Sequence, residues 1–255
     1  TVRPAIADID ERLPDGSTVR HLLWALHDEQ AADRIQRLVA SLPVMIADGH
    51  HRYETALEYH RRHPEQLAAA YTLAFLSNLA GEGTVILPTH RVLHDVAGFE
   101  GLALLAELSK KYDLETLSSR VEARPLLGLD ERLLCVIELP DQPGVVAVRS
   151  RATSADQAEL PAAWLEREVL RGILNLSEES LKTKQNLHFP HSFEELDALK
   201  GRVSWQAAFL MRAVRPEEML AIVEKGGFMP QKTTFFYPKL LTGLVMHAFD
   251  SQPGR

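Results

Sequence analysis

The segment Leu42–Leu57, with the sequence LPVMIADGHHRYETAL, constrains the fold more than any other stretch of this chain. Its apolar residues Val44–Ala47 predict a short buried strand, Asp48 and Gly49 predict a tight turn, and the pattern over His50–Arg62 predicts a helix that ends before a proline. Strand, turn and helix in this order place the polar residues of the turn at the N-terminus of the helix.

Such a helix N-terminus attracts anions through its free N–H groups and the positive end of the helix dipole. Arg52 adds a guanidinium that can bind phosphate through two parallel hydrogen bonds. We therefore predict an anion-binding site at the turn. The predicted phosphate-binding residues there are Gly49, His51 and Arg52, and the candidate catalytic residues are Asp48, His50 and Glu54.

A metal site is the competing functional interpretation of the same residues. Asp48, His50 and His51 are possible ligands, and a metal ion held by them would make the protein a metal-dependent hydrolase. The arginine within the cluster disfavours this interpretation, because a fixed cation repels a second one. The structural alternative is a helix-capping turn that carries surface histidines.

Two further segments contain side chains that bind anions. LPTHR places His90 and Arg91 at the end of a predicted strand, and MPQKTTFFYPK presents Lys232 and Thr233 in a loop between two prolines. We predict that these four residues are secondary phosphate or substrate contacts that share one cleft with Asp48. The alternatives are a solvated strand end and a rigid loop packed by aromatic rings.

Predicted strands and helices are mixed without a regular βαβ alternation, which favours an α+β fold of mixed sheets with flanking helices. The weakest boundary, near residues 97–98, divides the chain into parts 1–98 and 99–255. The predicted strands are 18–26, 44–47, 71–79 paired with 84–93, 132–139 paired with 145–151, and 204–214. The predicted helices are 28–42, 50–62, 99–111, 161–174, 178–184, 192–200, 216–225 and 239–249.

Composition excludes several classes of function. The chain has 255 residues and a net charge of -7, which argues against a broad nucleic-acid interface. No stretch approaches the roughly 20 apolar residues of a membrane span. Cys135 is the only cysteine, which suits a cytoplasmic protein and predicts a buried structural thiol. We expect a small-molecule substrate as the partner; the oligomeric state stays open.

Three separated motifs, IADGHHRYETAL, ILPTHR and GGFMPQKTTFFYPKLLTGLV, resemble a prokaryotic family of uncharacterised proteins, the domain of unknown function 1015. The resemblance covers essentially the whole chain. Members of that family are longer at the N-terminus, and this chain begins with Thr1. We therefore expect it to be the C-terminal two-thirds of such a protein, with further catalytic residues upstream.

The turn itself is similar to the nucleotide-phosphate turn of the ParB/sulfiredoxin superfamily, which includes free-serine kinases. The similarity covers Gly49–Tyr53 and Ala56, with His51 and Arg52 at the phosphate-binding positions. His50 stands where sulfiredoxins carry a reactive cysteine, so the resemblance favours the kinase branch. It implies a nucleotide triphosphate or diphosphate with Mg²⁺ as cofactor and a small-molecule kinase, acting on serine or a similar metabolite. A non-catalytic nucleotide-sensing module is the third alternative.

Overall fold

The computed structural model describes residues 5–13, 16–79, 81, 85–152, 159–227, 229, 232–237 and 239–249. The chain forms two compact units, one from residues Thr1–Ser77 with Pro238–Arg255 and the other from Asn78–Tyr237. This division does not follow the predicted boundary near residues 97–98. Val96 and Phe99, on either side of that boundary, pack against one hydrophobic core in the second unit.

The first unit contains an antiparallel hairpin, two helices and a short 3-10 helix. The elements are β1 (Ala7–Arg12), β2 (Thr18–Leu23), α1 (Glu29–Ala40), α2 (His50–Arg62) and the 3-10 helix Leu67–Ala70. The predicted strand at 18–26 and the predicted helices at 28–42 and 50–62 are confirmed. Asp28 caps α1 by accepting a hydrogen bond from the Ala31 N–H at 3.1 Å. Strand β1 was missed, because its alternating charged residues resemble a polar loop.

The second unit is built around a six-stranded sheet with the order β5-β7-β6-β9-β4-β8, and its pairings are antiparallel. Its strands are β4 (Arg91–His94), β5 (Asp113–Leu117), β6 (Leu133–Glu138), β7 (Val145–Arg149), β8 (Leu187–His188) and β9 (Trp205–Leu210). A separate two-stranded ladder joins β3 (Val85–Leu87) to β10 (Phe235–Tyr237). This mixture of sheets and helices confirms the predicted α+β class.

Helices cover both faces of the six-stranded sheet. They are α3 (Gly101–Ser109), α4 (Arg120–Ala123), α5 (Leu126–Leu129), α6 (Pro161–Trp164, continued as a π-helix over Leu165–Ile173), α7 (Glu178–Thr183), α8 (Phe193–Lys200) and α9 (Pro216–Glu224). Alternate residues of β9 enter opposite cores: Phe209 packs with α3 and α6, whereas Leu210 packs with Leu196 of α8. Because both faces of the sheet are buried here, the sequence of this strand is a continuous apolar run rather than an alternating one.

Three predicted elements are absent. Residues 44–47 form no strand, and Val44 and Ile46 are exposed. Residues 71–79 also form no strand, and β3 pairs with β10 instead. The described residues 239–249 contain no helix, because Gly243 has a φ of +90°, in the left-handed region that interrupts a right-handed helix. Short apolar runs become strands only where a partner strand is present.

Cys135 is buried in β6, as predicted, and burial raises the pKa of its thiol well above the usual range. A thiol in this environment stays protonated and unreactive. Within the described ranges, no helix combines the length and the apolar character needed to cross a bilayer.

Candidate functional site

Gly49 sets the geometry of the turn that precedes α2. It has a φ of +86°, a left-handed conformation in which a side chain would be strained. Its carbonyl accepts the hydrogen bond of the Tyr53 N–H at 3.0 Å, which begins the helix, and its own N–H donates to Asp48 Oδ1 at 2.8 Å. No side chain caps this helix end. The N–H groups of its first turn therefore lack intrahelical partners and are able to bind an anion.

Arg52 folds back across this turn. A Cβ atom placed on Gly49 would lie only 2.9 Å from Arg52 Nη2 and 3.0 Å from Nε, so the guanidinium lies directly against the glycine. The same Nη2 is 3.8 Å from Asp48 Oδ2. The Arg52 side chain is 81% exposed. A fully charged, accessible guanidinium is thus held beside the uncapped helix end.

Lys239 is a member of this site that sequence reasoning did not assign. Its Nζ donates to Asp48 Oδ2 at 2.9 Å, across a separation of 191 residues. This hydrogen bond is the largest cause of the lowered pKa of Asp48; burial acts in the opposite direction, and the charge of Lys239 and the Gly49 N–H lower the pKa further. The lysine lies in one of the quoted motifs, but no local pattern reveals a contact across such a separation.

The remaining residues of the turn are exposed. His51 Nδ1 lies 3.3 Å from Glu54 Oε2, and the two side chains are 91% and 70% exposed. His50 is also exposed. Arg52 and Lys239 are balanced by the carboxylates of Asp48 and Glu54, so attraction for an anion comes from the Arg52 guanidinium and the uncapped helix end rather than from an excess of positive side chains.

The metal-site interpretation finds no support in this geometry. In the part of the chain that the structure describes, no group of three or more His, Cys, Asp or Glu side chains could hold a metal ion. Asp48, His50 and His51 therefore do not form the predicted ligand set. The carboxylate of Asp48 is engaged by Lys239 and by the Gly49 N–H instead.

The other four predicted contacts come together in the second unit. Arg91 is 5% exposed, and its guanidinium donates to the backbone carbonyls of Thr89 and, at 3.0 Å, of Lys232. Lys232 adopts a left-handed φ of +56°, and Thr233 beside it is buried. Arg91 therefore connects two chain segments by hydrogen bonds. Burial lowers the pKa of its guanidinium to about 10. This internal role leaves Arg91 poorly suited to bind phosphate.

His90 is also buried, with 1% of its surface exposed. Its Nδ1 accepts a hydrogen bond from the Met211 N–H at 3.1 Å, and its ring stacks on Phe193 with centroids 5.1 Å apart. Burial is the main cause that lowers the pKa of His90 to about 4, and the nearby charge of Arg91 adds to it. His90 is therefore neutral at pH 7 and is not the cationic phosphate ligand that the sequence suggested.

Asp48, Gly49, His50, His51, Arg52 and Glu54 belong to the first unit with Lys239, whereas His90, Arg91, Lys232 and Thr233 belong to the second. The shared cleft predicted for Asp48 with the second group stays a prediction.

Comparison with known proteins finds one family. The sequence model of the family described as "Protein of unknown function (DUF1015)" matches residues 4–185. This match confirms the resemblance seen in the three motifs. No curated protein matches the chain.

Several solved structures are similar at low identity. A conserved hypothetical protein from Pyrococcus furiosus has a TM-score of 0.44 at 14% identity, covering 83% of this chain and 84% of its own. A mutant of free serine kinase in complex with ADP has a TM-score of 0.44 at 12% identity, covering 83% of this chain and 81% of its own. Likeness at this level transfers neither a ligand nor a residue role to this chain.

Proposed function

The chain belongs to the DUF1015 family of proteins of unknown function, and for this member we propose that the turn Asp48–Arg52 binds the phosphate of a nucleotide. We further propose that the protein is a phosphotransferase acting on a hydroxyl of a small metabolite such as serine. One observation carries the first proposal: the Arg52 guanidinium lies against Gly49 at the uncapped start of α2. The second rests on the resemblance of this turn to that of the ParB/sulfiredoxin superfamily.

Each residue of the turn has a defined part in the proposed binding. The N–H groups at the start of α2 and the Arg52 guanidinium bind phosphate oxygens, and His51 adds a further donor. Lys239 donates to Asp48 Oδ2, the oxygen that Arg52 also faces, and so holds Asp48 in place and adds positive charge beside it. Phosphoryl transfer depends mainly on positioning and charge neutralisation, which an arrangement of this kind supplies.

Glu54 is the stronger candidate for a group that accepts a proton from the acceptor hydroxyl. Asp48 is already engaged by Lys239 and has a lowered pKa, which makes it a weak base. Glu54 lies one helical turn after His50 and lines an open hollow of about 450 Å³ along α2. That hollow gives an acceptor or a nucleoside room beside Glu54.

Mg²⁺ does not fit this turn as a resident ion. Hard cations such as Mg²⁺ require several oxygen ligands, and the one carboxylate in the turn itself, Asp48, is neutralised by Lys239. We therefore assign any Mg²⁺ to the incoming nucleotide and derive no step through it.

The proposal is tested by measuring the affinity for ATP, ADP and inorganic phosphate by calorimetry. Arg52→Gln removes a charged hydrogen-bond donor, so it should weaken binding by about 1.5–3 kcal/mol, or roughly 10- to 150-fold. The matched control is Arg61→Gln, a 66% exposed arginine in the last turn of the same helix. Unchanged affinity in Arg52→Gln, or equal losses in both variants, would reject the turn as the phosphate site.

Transfer is tested separately from binding. Purified protein with ATP and serine, or with other small hydroxyl compounds, should release ADP and form a phosphorylated acceptor. Glu54→Gln should abolish this transfer and leave nucleotide affinity nearly unchanged. Nucleotide binding without transfer to any acceptor would leave the sensing-module alternative as the better description.

A further inference from the structure

A cavity of about 340 Å³ opens in the second unit and is lined by residues that the proposed function does not use. Its walls come from the residues that precede β4, the residues that follow β9, helix α5 and the start of α8. Residues that matter for its chemistry are Pro88, His90, Arg124, Leu127, Phe193 and Arg212. The volume lies within the range of about 300–1,000 Å³ that is usual for small-molecule sites.

His90 contributes a hydrogen-bond donor to this cavity. Because its Nδ1 accepts from the Met211 N–H, a neutral ring must carry its proton on Nε2. No hydrogen bond joins Nε2 to another described residue, and Nε2 is not one of the buried atoms that lack a partner, so it is accessible from the cavity. A ligand oxygen that accepts from this N–H takes the place of water there.

Arg124 contributes a positive charge. Its guanidinium lies 5.2 Å from the centroid of the Phe193 ring, and it forms no ion pair with a carboxylate in the described part of the chain. Arg212, in contrast, pairs with Glu218 at 2.8 Å, although its Nε is a buried donor with no partner within the same ranges. The cavity thus combines the Arg124 guanidinium, the N–H donors of His90 and Arg212 and the Phe193 ring, and the carboxylate of Glu194 also belongs to its lining.

We infer that this cavity binds a small organic anion. A carboxylate or phosphate group of the ligand pairs with the Arg124 guanidinium, a further ligand oxygen accepts from His90 Nε2, and the apolar part of the ligand packs on Phe193 and Leu127. The bidentate fork of arginine suits either kind of anionic group. This inference does not rest on the proposed phosphotransferase function, because it uses no residue of the Asp48–Arg52 turn.

The experiment uses the whole chain and two probes of similar size, succinate for the carboxylate and glycerol phosphate for the phosphate. Binding is measured by calorimetry on the wild type, Arg124→Gln and a control, Arg132→Gln, which replaces a half-exposed arginine of the same unit outside the cavity. Arg124 is exposed, so its replacement should not disturb folding. In parallel, the ¹⁵N signals of the His90 ring, identified by their loss in His90→Asn, are followed during titration.

The expected result is saturable binding of at least one probe, a loss of tenfold or more in Arg124→Gln, and no loss in Arg132→Gln. The bound probe should also shift the His90 Nε2 signal. Absence of saturable binding by both probes, or binding that Arg124→Gln leaves unchanged, would overturn the inference. Glycerol phosphate binding that is lost in Arg52→Gln but kept in Arg124→Gln would assign the probe to the turn and would equally overturn it. Loss in Arg124→Gln without a His90 shift would remove His90 from the site.

Discussion

The two units differ most in how their apolar residues are covered. In the second unit, β6 is buried from Leu133 to Ile137 because helices lie on both faces of its sheet. In the first, Ala69 is the one hydrophobic residue classed as buried among those described. Ile35 and Leu38 on α1 are 52% and 60% exposed. Periodicity is therefore sufficient to predict a helix, but it does not tell which surface will cover its apolar face.

The two candidate sites follow the same contrast. The turn around Gly49 is exposed and depends on local backbone geometry and on ion pairs with Asp48. The cavity beside His90 is lined by side chains that a packed sheet holds in place. Both sites should respond to salt and to single charges, whereas only binding in the cavity should also respond to packing around Phe193.

The largest expected effect is on the free energy of unfolding, when one aromatic ring is truncated in each unit. Phe209→Ala removes a fully buried ring between strands and helices and should lower the free energy of unfolding by about 3–5 kcal/mol. Phe75→Ala in the first unit truncates a ring that is 65% exposed and should change it by less than about 0.5 kcal/mol. Denaturant unfolding followed by circular dichroism measures both. Equal losses of unfolding free energy in the two variants would show that Phe75 is buried in the folded protein.

A second comparison concerns two glycines with left-handed backbones. At Gly144, with a φ of +78°, a Cβ would lie 2.2 Å from the Leu117 carbonyl oxygen, so Gly144→Ala should cost about 2–5 kcal/mol through backbone strain and overpacking. At Gly49 the obstacle is the movable end of Arg52, so Gly49→Ala should cost only about 1–2 kcal/mol. Thermal unfolding gives the stabilities.

The same pair of variants also distinguishes structure from function. Gly49→Ala should displace the Arg52 guanidinium and weaken phosphate binding, whereas Gly144→Ala should leave the affinity of the folded protein unchanged. A Gly49→Ala protein that binds phosphate as the wild type does would show that the position of Arg52 over the glycine is unimportant.

Local signals in the sequence account for much of the fold. The helix beginning at His50, the cap at Asp28 and the β6–β7 hairpin were predicted because each depends on neighbouring residues. Pairings between distant segments were not predicted. Strand β3 lies beside β10, across about 150 residues, and no short-range pattern favours that partner over residues 71–79.

The candidate site shows the same limit. The turn from Asp48 to Arg52 was recognisable from its composition, since glycine, histidine and arginine at a helix start indicate anion binding. The contact of Lys239 with Asp48 depends on tertiary structure and has no local signal. For His90 and Arg91 the sequence gives the residue types but not their burial. Burial makes His90 neutral and gives Arg91 a structural role.

Burial of His90 should make the free energy of unfolding depend on pH. Its pKa is about 4 in the folded protein and near 6.5 when exposed, so the unfolded chain binds a proton first as pH falls. Stability is therefore unaffected above about pH 6.5 and is lost between there and pH 4, by up to about 3 kcal/mol. His90→Asn keeps an acceptor for the Met211 N–H and removes the titration, so it should flatten the curve in this window. Parallel curves for the two proteins would contradict a buried neutral His90.

The smallest expected effect belongs to the ion pair of the first unit. The pKa of Asp48 is lowered from 3.8 by Lys239, so the pair stabilises the folded state above that value and the stabilisation is lost as pH falls through the folded pKa. Because Asp48 is 54% exposed and screened by water, Lys239→Gln should cost no more than about 1 kcal/mol at pH 7. The difference from the wild type should vanish as the pH falls through the folded pKa of Asp48, and it should shrink in high salt. A difference that persists in acid would mean that Lys239 stabilises the protein by packing of its aliphatic chain, and Lys239→Met, which keeps that chain, would then restore the lost stability.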